Sequence, residues 1–191
     1  HRQPNSGKAA ALQLGLDASK HEYLVMLDAD TQFAPEAIRE LVLPLLRDKK
    51  IGSVSGHLRV GTTATWCERF QSLEYICGFN LDRRAYDWWN CITVVPGAIS
   101  AYRREAIDSA GGISQDTHAE DTDLTLCMHR EGWKIRYSAR ALARTEAPET
   151  ARALVRQRTR WAFGTLQCLW KHRSMLFNPD FGALAFFALP S

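Results

Sequence analysis

Glu22-Tyr-Leu-Val-Met-Leu27, followed at once by Asp28-Ala-Asp30, is the stretch on which the fold turns. After Glu22, the apolar run Tyr23–Leu27 reads as a buried strand. Asp28 and Asp30 then stand at its carboxyl end, the edge where open α/β sheets bind ligands. Upstream, Ala9, Leu12, Leu14 and Leu16 follow Asn5-Ser-Gly-Lys8 as a short helix. Downstream, Pro35 suits a first helical turn, so a second helix is expected from Pro35 to Asp48, with Pro44 as a flaw in it. Gly52-Ser-Val-Ser-Gly56 is the next strand. Helix, strand, helix, strand predicts an α/β fold with a mostly parallel sheet and helices on both faces.

The composition agrees. The chain has 191 residues, 46% apolar and 10% aromatic, enough for one core and too apolar for a disordered segment. Subtracting 21 acidic from 24 basic residues leaves +3. So small a surplus, with a pI near 8.7, argues against a dedicated nucleic-acid binder. Cys67, Cys77, Cys91, Cys127 and Cys168 are scattered and odd in number, which indicates neither a disulfide framework nor a structural zinc site and predicts free thiols.

Further along, Trp66, Phe70, Leu73, Ile76, Cys77 and Leu81 recur at helical spacing and predict one long amphipathic helix over 63–86. Cys91–Val95 and Ala98–Tyr102 read as short strands on either side of a Pro96-Gly97 turn. A helix stopped by Gly111-Gly112 follows, then another from His118 to just before Gly132, and a strand over Trp133–Tyr137. From Glu149 to His172 a broad apolar stripe is flanked by Arg152, Arg156, Arg158, Arg160, Lys171 and Arg173, a basic amphipathic helix. The run Phe181–Leu189 is shorter than the roughly 20 residues a spanning helix takes, and reads as an interfacial segment or the first part of a span.

Three clusters carry chemistry. Asp28 and Asp30 offer oxygen ligands of the kind Mg²⁺ or Mn²⁺ accepts beside substrate phosphates, although an Asp-x-Asp pair also occurs as a solvated loop. Glu120, Asp121 and Asp123 crowd a helix start, where the dipole favours negative charge. Capping accounts for such acids, but mutual repulsion also raises a carboxylate toward a useful general base. Gln157, Arg160 and Trp161 stand at i, i+3 and i+4, so an amide, a phosphate clamp and a flat ring share a helix side. A surface Arg beside a core Trp is the plainer account. Lys8 at a helix start adds a cation for phosphate.

The order of these strings resembles processive family-2 glycosyltransferases: the cellulose, chitin, hyaluronan and poly-N-acetylglucosamine synthases. Asp28-Ala-Asp30, Ala119-Glu120-Asp121 and Gln157-Arg-Thr-Arg160-Trp161 look like that family's DxD, TED and QxxRW motifs. Asn5 to Leu12, Val95 to Arg104 and Pro148-Glu-Thr150 resemble its connecting segments. Ala119 departs from the family's usual Thr.

The resemblance implies a GT-A-like fold and an inverting glycosyltransferase that moves a sugar from a UDP-sugar to a hydroxyl of a growing β-linked polysaccharide. Asp30 and Asp28 would hold Mg²⁺ or Mn²⁺. Asp121 would be the base, with Glu120 beside it, while Lys8, Asp28, Gln157, Arg160 and Trp161 would bind substrate. N-acetylglucosamine is the first expectation for the sugar and glucose the second. The chain is then expected to divide into a partial catalytic domain over 1–148, the basic helix region over 149–177 and an apolar segment over 178–191. Nucleotide-contacting strands are expected before His1 and membrane spans after Ser191, so the isolated polypeptide should not turn over. The basic helix is expected at a membrane interface, with the catalytic domain on the cytoplasmic face. Two rivals stand beside this reading. A haloacid-dehalogenase-like phosphatase would use Asp28 as nucleophile, but Gln32 occupies the position of its Thr. A membrane-bound polysaccharide-binding scaffold would have lost catalysis, although the acids are intact.

Overall fold

A computed structural model describes residues 7–190. Asn5 and Ser6 of the turn before Lys8 lie outside them. Helix α1 (Lys8–Ala18) leads into β1 (Tyr23–Leu27), and three residues later comes β2 (Thr31–Phe33). Helix α2 (Ala37–Arg47), β3 (Ile51–Val60), α3 (Trp66–Glu74), a π-helical turn (Tyr75–Leu81) and α4 (Asp82–Trp88) follow. The second half holds β4 (Ile99–Arg103), α5 (Arg104–Ser109), α6 (Glu120–Arg130), β5 (Lys134–Thr145) and the long α7 (Ala151–Lys171).

The five strands form one sheet in the order β1-β4-β3-β5-β2. Strands β1, β3 and β5 run one way, as the alternation of elements predicts, but only the β3–β5 pairing is between parallel neighbours. The sheet is therefore mixed, because β4 returns between β1 and β3 and β2 reverses onto the far half of β5. Only Asp28–Asp30 separates β1 from β2, far too few residues for the helical crossover that a parallel neighbour needs.

Alternate residues of β4 feed opposite faces. Ile99 and Ala101 pack with Leu41 and Leu45 of α2 and with Val54, Ala141 and Ala143. Tyr102 packs with Leu16 of α1, Ile107 of α5, and Leu124 and Met128 of α6. Each fully buried Leu or Ile here contributes roughly 1.5–3 kcal/mol, so both helical layers are held to the sheet mainly by apolar burial.

Two expected elements differ. Cys91–Val95 does not join the sheet, because α6 supplies its partners: the Val95 N–H donates to Thr125 Oγ1 at 3.0 Å and the Ile92 carbonyl accepts from His129 Nε2 at 2.9 Å. The expected single helix over 63–86 starts on a Thr65–Glu68 capping box and is broken by the π-helical turn. There Asn80 Nδ2 donates to the Tyr75 carbonyl at 2.8 Å. The turn is fixed to the sheet by a relay: Arg59 Nε donates to His57 Nε2 (2.8 Å), His57 Nδ1 to the Tyr137 hydroxyl (2.6 Å), and that hydroxyl to Asn80 Oδ1 (3.1 Å). All five cysteines are free, as expected.

Candidate active site

Lys8 begins α1, Asp28 directly follows β1 and Glu120 begins α6, and the fold brings the three together. Lys8 Nζ lies 2.8 Å from Asp28 Oδ1 and 3.8 Å from Glu120 Oε1. The backbone allows this because residue 97 is glycine: a Cβ there would meet Lys8 Nζ at 2.9 Å. Asp28 is also tied to the start of β4, its N–H donating to the Ala98 carbonyl at 3.4 Å. Partial burial acts to lower the Lys8 pKa, but the Asp28 hydrogen bond and the charges of Asp28, Glu120 and Asp121 outweigh it and leave the pKa raised.

Burial raises Glu120, and the neighbouring Asp121 charge raises it further. Burial likewise raises Asp121, opposed by the Thr122 N–H, which donates to Asp121 Oδ1 at 2.8 Å, and by the charges of Lys8 and Arg83. Asp121 thus sits above the ordinary carboxylate range, where a general base is most effective near neutral pH. Asp30 stands apart from this contact group, exposed, and accepts from Thr31 Oγ1 at 3.2 Å.

The stripe on α7 separates into faces. Leu154, Gly164 and Cys168 are buried, with Gln157 and Trp161 half-buried on the same seam. Trp161 packs against the core that contains Tyr75, Ala98 and Ile99. Arg160 is exposed and shares with Gln157, Arg152, Arg156, Thr150 and Pro148 a groove of about 620 Å³. No acidic side chain lines that groove, and no acid occupies the first turn of α7. Val155, Phe163, Leu166 and Trp170 remain exposed.

Sequence reasoning missed the side chains that tie α7 to α3, and a buried cation whose charge reaches Asp121. Gln71, fully buried on α3, donates from Nε2 to Gln157 Oε1 (3.4 Å) and to the Tyr75 hydroxyl (3.1 Å). Arg158, not Arg160, pairs with Glu74, and its guanidinium lies 4.5 Å from the Trp161 ring centroid. Arg83 of α4 is buried, donates to Ser55 Oγ at 3.2 Å and has its pKa lowered by burial to about 10, with Tyr137, Asp121 and Tyr75 opposing the drop. A long amphipathic helix gave no signal that Gln71 and Arg83 face inward, since polar residues at those spacings ordinarily face water.

The donor chemistry here suits a hard divalent cation: carboxylate oxygens from Asp28 and Asp30 flank the β1 edge, and the Lys8 ammonium already sits as a cation on Asp28. A second group of metal-capable side chains, Asp123, Cys127 and His172, has ligand atoms within 4.8 Å of one another. Its carboxylate is spoken for, however, with one oxygen on His172 and the other on Lys171.

The chain matches the model of the family described as "Glycosyl transferase family group 2" over residues 23–190. It is 36% identical over 181 residues to "Probable glycosyltransferase YdaM" of Bacillus subtilis, covering 93% of this chain and 43% of that protein. It is 28% identical over 162 residues to "Poly-beta-1,6-N-acetyl-D-glucosamine synthase" of Staphylococcus aureus, covering 85% of this chain and 39% of that protein. Among solved structures, it resembles a mannosyltransferase from Pyrobaculum calidifontis in complex with GDP-Man and Mn²⁺, with a TM-score of 0.72 at 23% identity, covering 97% of this chain and 51% of that one. It also resembles glucosyl-3-phosphoglycerate synthase from Mycobacterium tuberculosis in complex with Mn²⁺ and UDP-Glc, with a TM-score of 0.54 at 22% identity, covering 87% and 56%. The chain therefore spans about two fifths of the curated relatives it matches. The fold is that of the GT-A glycosyltransferases.

Proposed function

The chain belongs to glycosyl transferase family group 2, and we propose that it carries the acceptor-activating and diphosphate-holding part of a processive polysaccharide synthase. The donor is a UDP-sugar, N-acetylglucosamine before glucose, and the acceptor is the hydroxyl end of a growing β-linked polymer. The observation that carries this reading is the meeting of Lys8, Asp28 and Glu120 beside an Asp121 whose pKa is raised. The choice of sugar is supported by the relative named as a poly-N-acetylglucosamine synthase.

In the reaction, Asp121 takes the proton of the acceptor hydroxyl as its oxygen attacks the anomeric carbon. The bond to the diphosphate breaks on the opposite face, so configuration inverts. Arg160 and Gln157 clamp the departing diphosphate, where fixed donors matter most because charge is growing. Asp30 and Asp28 would hold Mg²⁺ or Mn²⁺, which when bound would supply positive charge against the same phosphates. Lys8, paired with Asp28 at 2.8 Å, would supply a cation to the nucleotide from the same position. Arg158 covers one face of Trp161, and the acceptor sugar stacks on the other.

Exposed apolar side chains support membrane association; the cytoplasmic face follows only from the resemblance to the polysaccharide synthases. Trp66, Phe70, Leu73 and Ile76 are exposed along α3 and its continuation, and Val155, Leu166 and Trp170 along α7. Among the described residues no helix is long and apolar enough to cross a membrane, so α7 in this reading lies in the interface. Residues 1–148 then act as the catalytic portion, 149–177 as the interfacial helix region and 178–191 as the apolar continuation. Neither the phosphatase nor the scaffold reading is favoured by the family match.

The test is sugar transfer by the full-length protein in membranes, with labelled UDP-N-acetylglucosamine, UDP-glucose and Mn²⁺. Asp121→Asn is expected to lower kcat about 10²–10⁴-fold with an unchanged melting curve. A normal rate in that variant requires another base, and transfer of glucose alone reverses the order of donors.

A further inference from the structure

Asp123 takes no part in the chemistry above, although it lies two residues beyond the base. It is almost wholly buried, and so is His172, which ends α7 and is 49 residues away in sequence. His172 Nε2 donates to Asp123 Oδ1 at 2.7 Å, and Lys171 Nζ donates to Asp123 Oδ2 at 2.8 Å. Lys171 reaches in from the surface, also touching Asp116 Oδ2 at 3.4 Å and Ser114 Oγ at 3.3 Å.

The same half of α7 grips the chain just ahead of Asp121. Gly164 lies so close that a Cβ there would meet Ala119 Cβ at 2.8 Å and the Ala119 nitrogen at 3.0 Å. Gln167 Oε1 accepts from the His118 N–H at 3.0 Å, and Cys168 Sγ lies 3.5 Å from the Ala119 carbonyl. Ala119 is the N-cap residue of α6 and has no side-chain cap hydrogen bond. The first turn of α6 is therefore held to α7 at two levels, by Gly164–Cys168 ahead of it and by the Asp123 clasp at the end of α7.

Resting on the reading of Asp121 as the base, we infer that Asp123 and His172 are positioning residues that fix the first turn of α6, and with it Asp121, against the end of α7. A buried carboxylate is a strong anchor because it cannot leave its partners without a large desolvation penalty. His172 joins the clasp through Nε2 alone: among the described residues its Nδ1 is buried without a hydrogen-bond partner. It also acts independently of the diphosphate clamp. Arg160 is 12 residues before His172 on one helix, roughly 18 Å along its axis, and the clamp half of α7 is pinned separately by Arg158 to Glu74 and by Gln157 to Gln71.

The experiment compares His172→Gln with His172→Asn in the full-length protein. Glutamine places its amide nitrogen where Nε2 stood and keeps the bond to Asp123; asparagine reaches only the Nδ1 position. Expected is a kcat within about threefold of wild type for His172→Gln and a fall of about 10²-fold for His172→Asn, the loss associated with a misplacement of about 1 Å, with donor KM unchanged in both. Deuterium uptake over residues 118–125 should rise in His172→Asn only. Equal kcat in the two variants, or loss of kcat and donor affinity together, overturns the inference. So does unchanged uptake, and that readout needs no turnover, so it decides the clasp even if the wild-type protein transfers no sugar and the functional reading fails. Should His172→Asn not fold, Lys171→Met opens the outer half of the clasp, and unchanged uptake there overturns the inference as well.

Discussion

The two sides of the site are built on opposite principles. On one side, carboxylates from β1 and α6 are gathered around a single ammonium, half-buried and already compensated. On the other, α7 lines an open groove with Arg152, Arg156 and Arg160 and no acid. A compensated cluster holds its geometry before any ligand arrives, and a divalent cation binding there would have to displace Lys8 from Asp28. An uncompensated row of guanidiniums attracts anions at long range and gains its energy only when they dock. The acidic side is thus suited to chemistry at a fixed point, and the basic side to capture.

Removing the capture side is the most direct way to break this contrast. Arg160→Ala should lower kcat/KM for the nucleotide sugar about 10²–10³-fold, and Arg160→Lys should recover only part of it because a forked donor is lost. Saturation kinetics on the full-length protein read both.

Lys8→Met tests the compensated side. The Lys8 charge lowers both Glu120 and Asp121, so its removal raises them further. A base must be deprotonated to act, so the acid limb of the pH–rate profile should move to higher pH, with about a tenfold loss of rate on its acid side. A limb that stays put, or moves down, contradicts the assignment of Lys8 as the neutralising cation.

Gly164→Ala probes the packing that brings the sides together. The added Cβ has backbone and Ala119 within 3.0 Å, a crowding worth about 1–3 kcal/mol, to be read as a lower denaturant midpoint. The smallest effect is expected from Arg152→Ala and Arg156→Ala: a few-fold rise in donor KM that fades as salt is added, since exposed charges are screened.

The acids and cations that end strands or start helices were legible in the sequence, because Asp28, Glu120 and Asp121 announce themselves by their place in the apolar pattern. The order of motifs identified the family. What stayed hidden was whatever depends on pairing across the chain. Gln71 meets Gln157 over 86 residues and Asp123 meets His172 over 49, and no local periodicity encodes either. The π-helical turn escaped for a related reason: Asn80, which stabilises it, reads as one more polar residue in an amphipathic run. Strand β2 is three residues long, and β4 is antiparallel to both neighbours, a matter of register that composition does not carry.

The relay from Arg59 through His57 and Tyr137 to Asn80 has one more consequence. Burial, and then the charges of Arg59, Arg84 and Arg83, hold the His57 pKa down to about 4. The imidazole therefore stays neutral across the range of about pH 5–8 in which an unperturbed histidine switches, and every donor in the row keeps its direction. Acidification over that range would leave the row, and the π-helical turn it ties to β3 and β5, as it is.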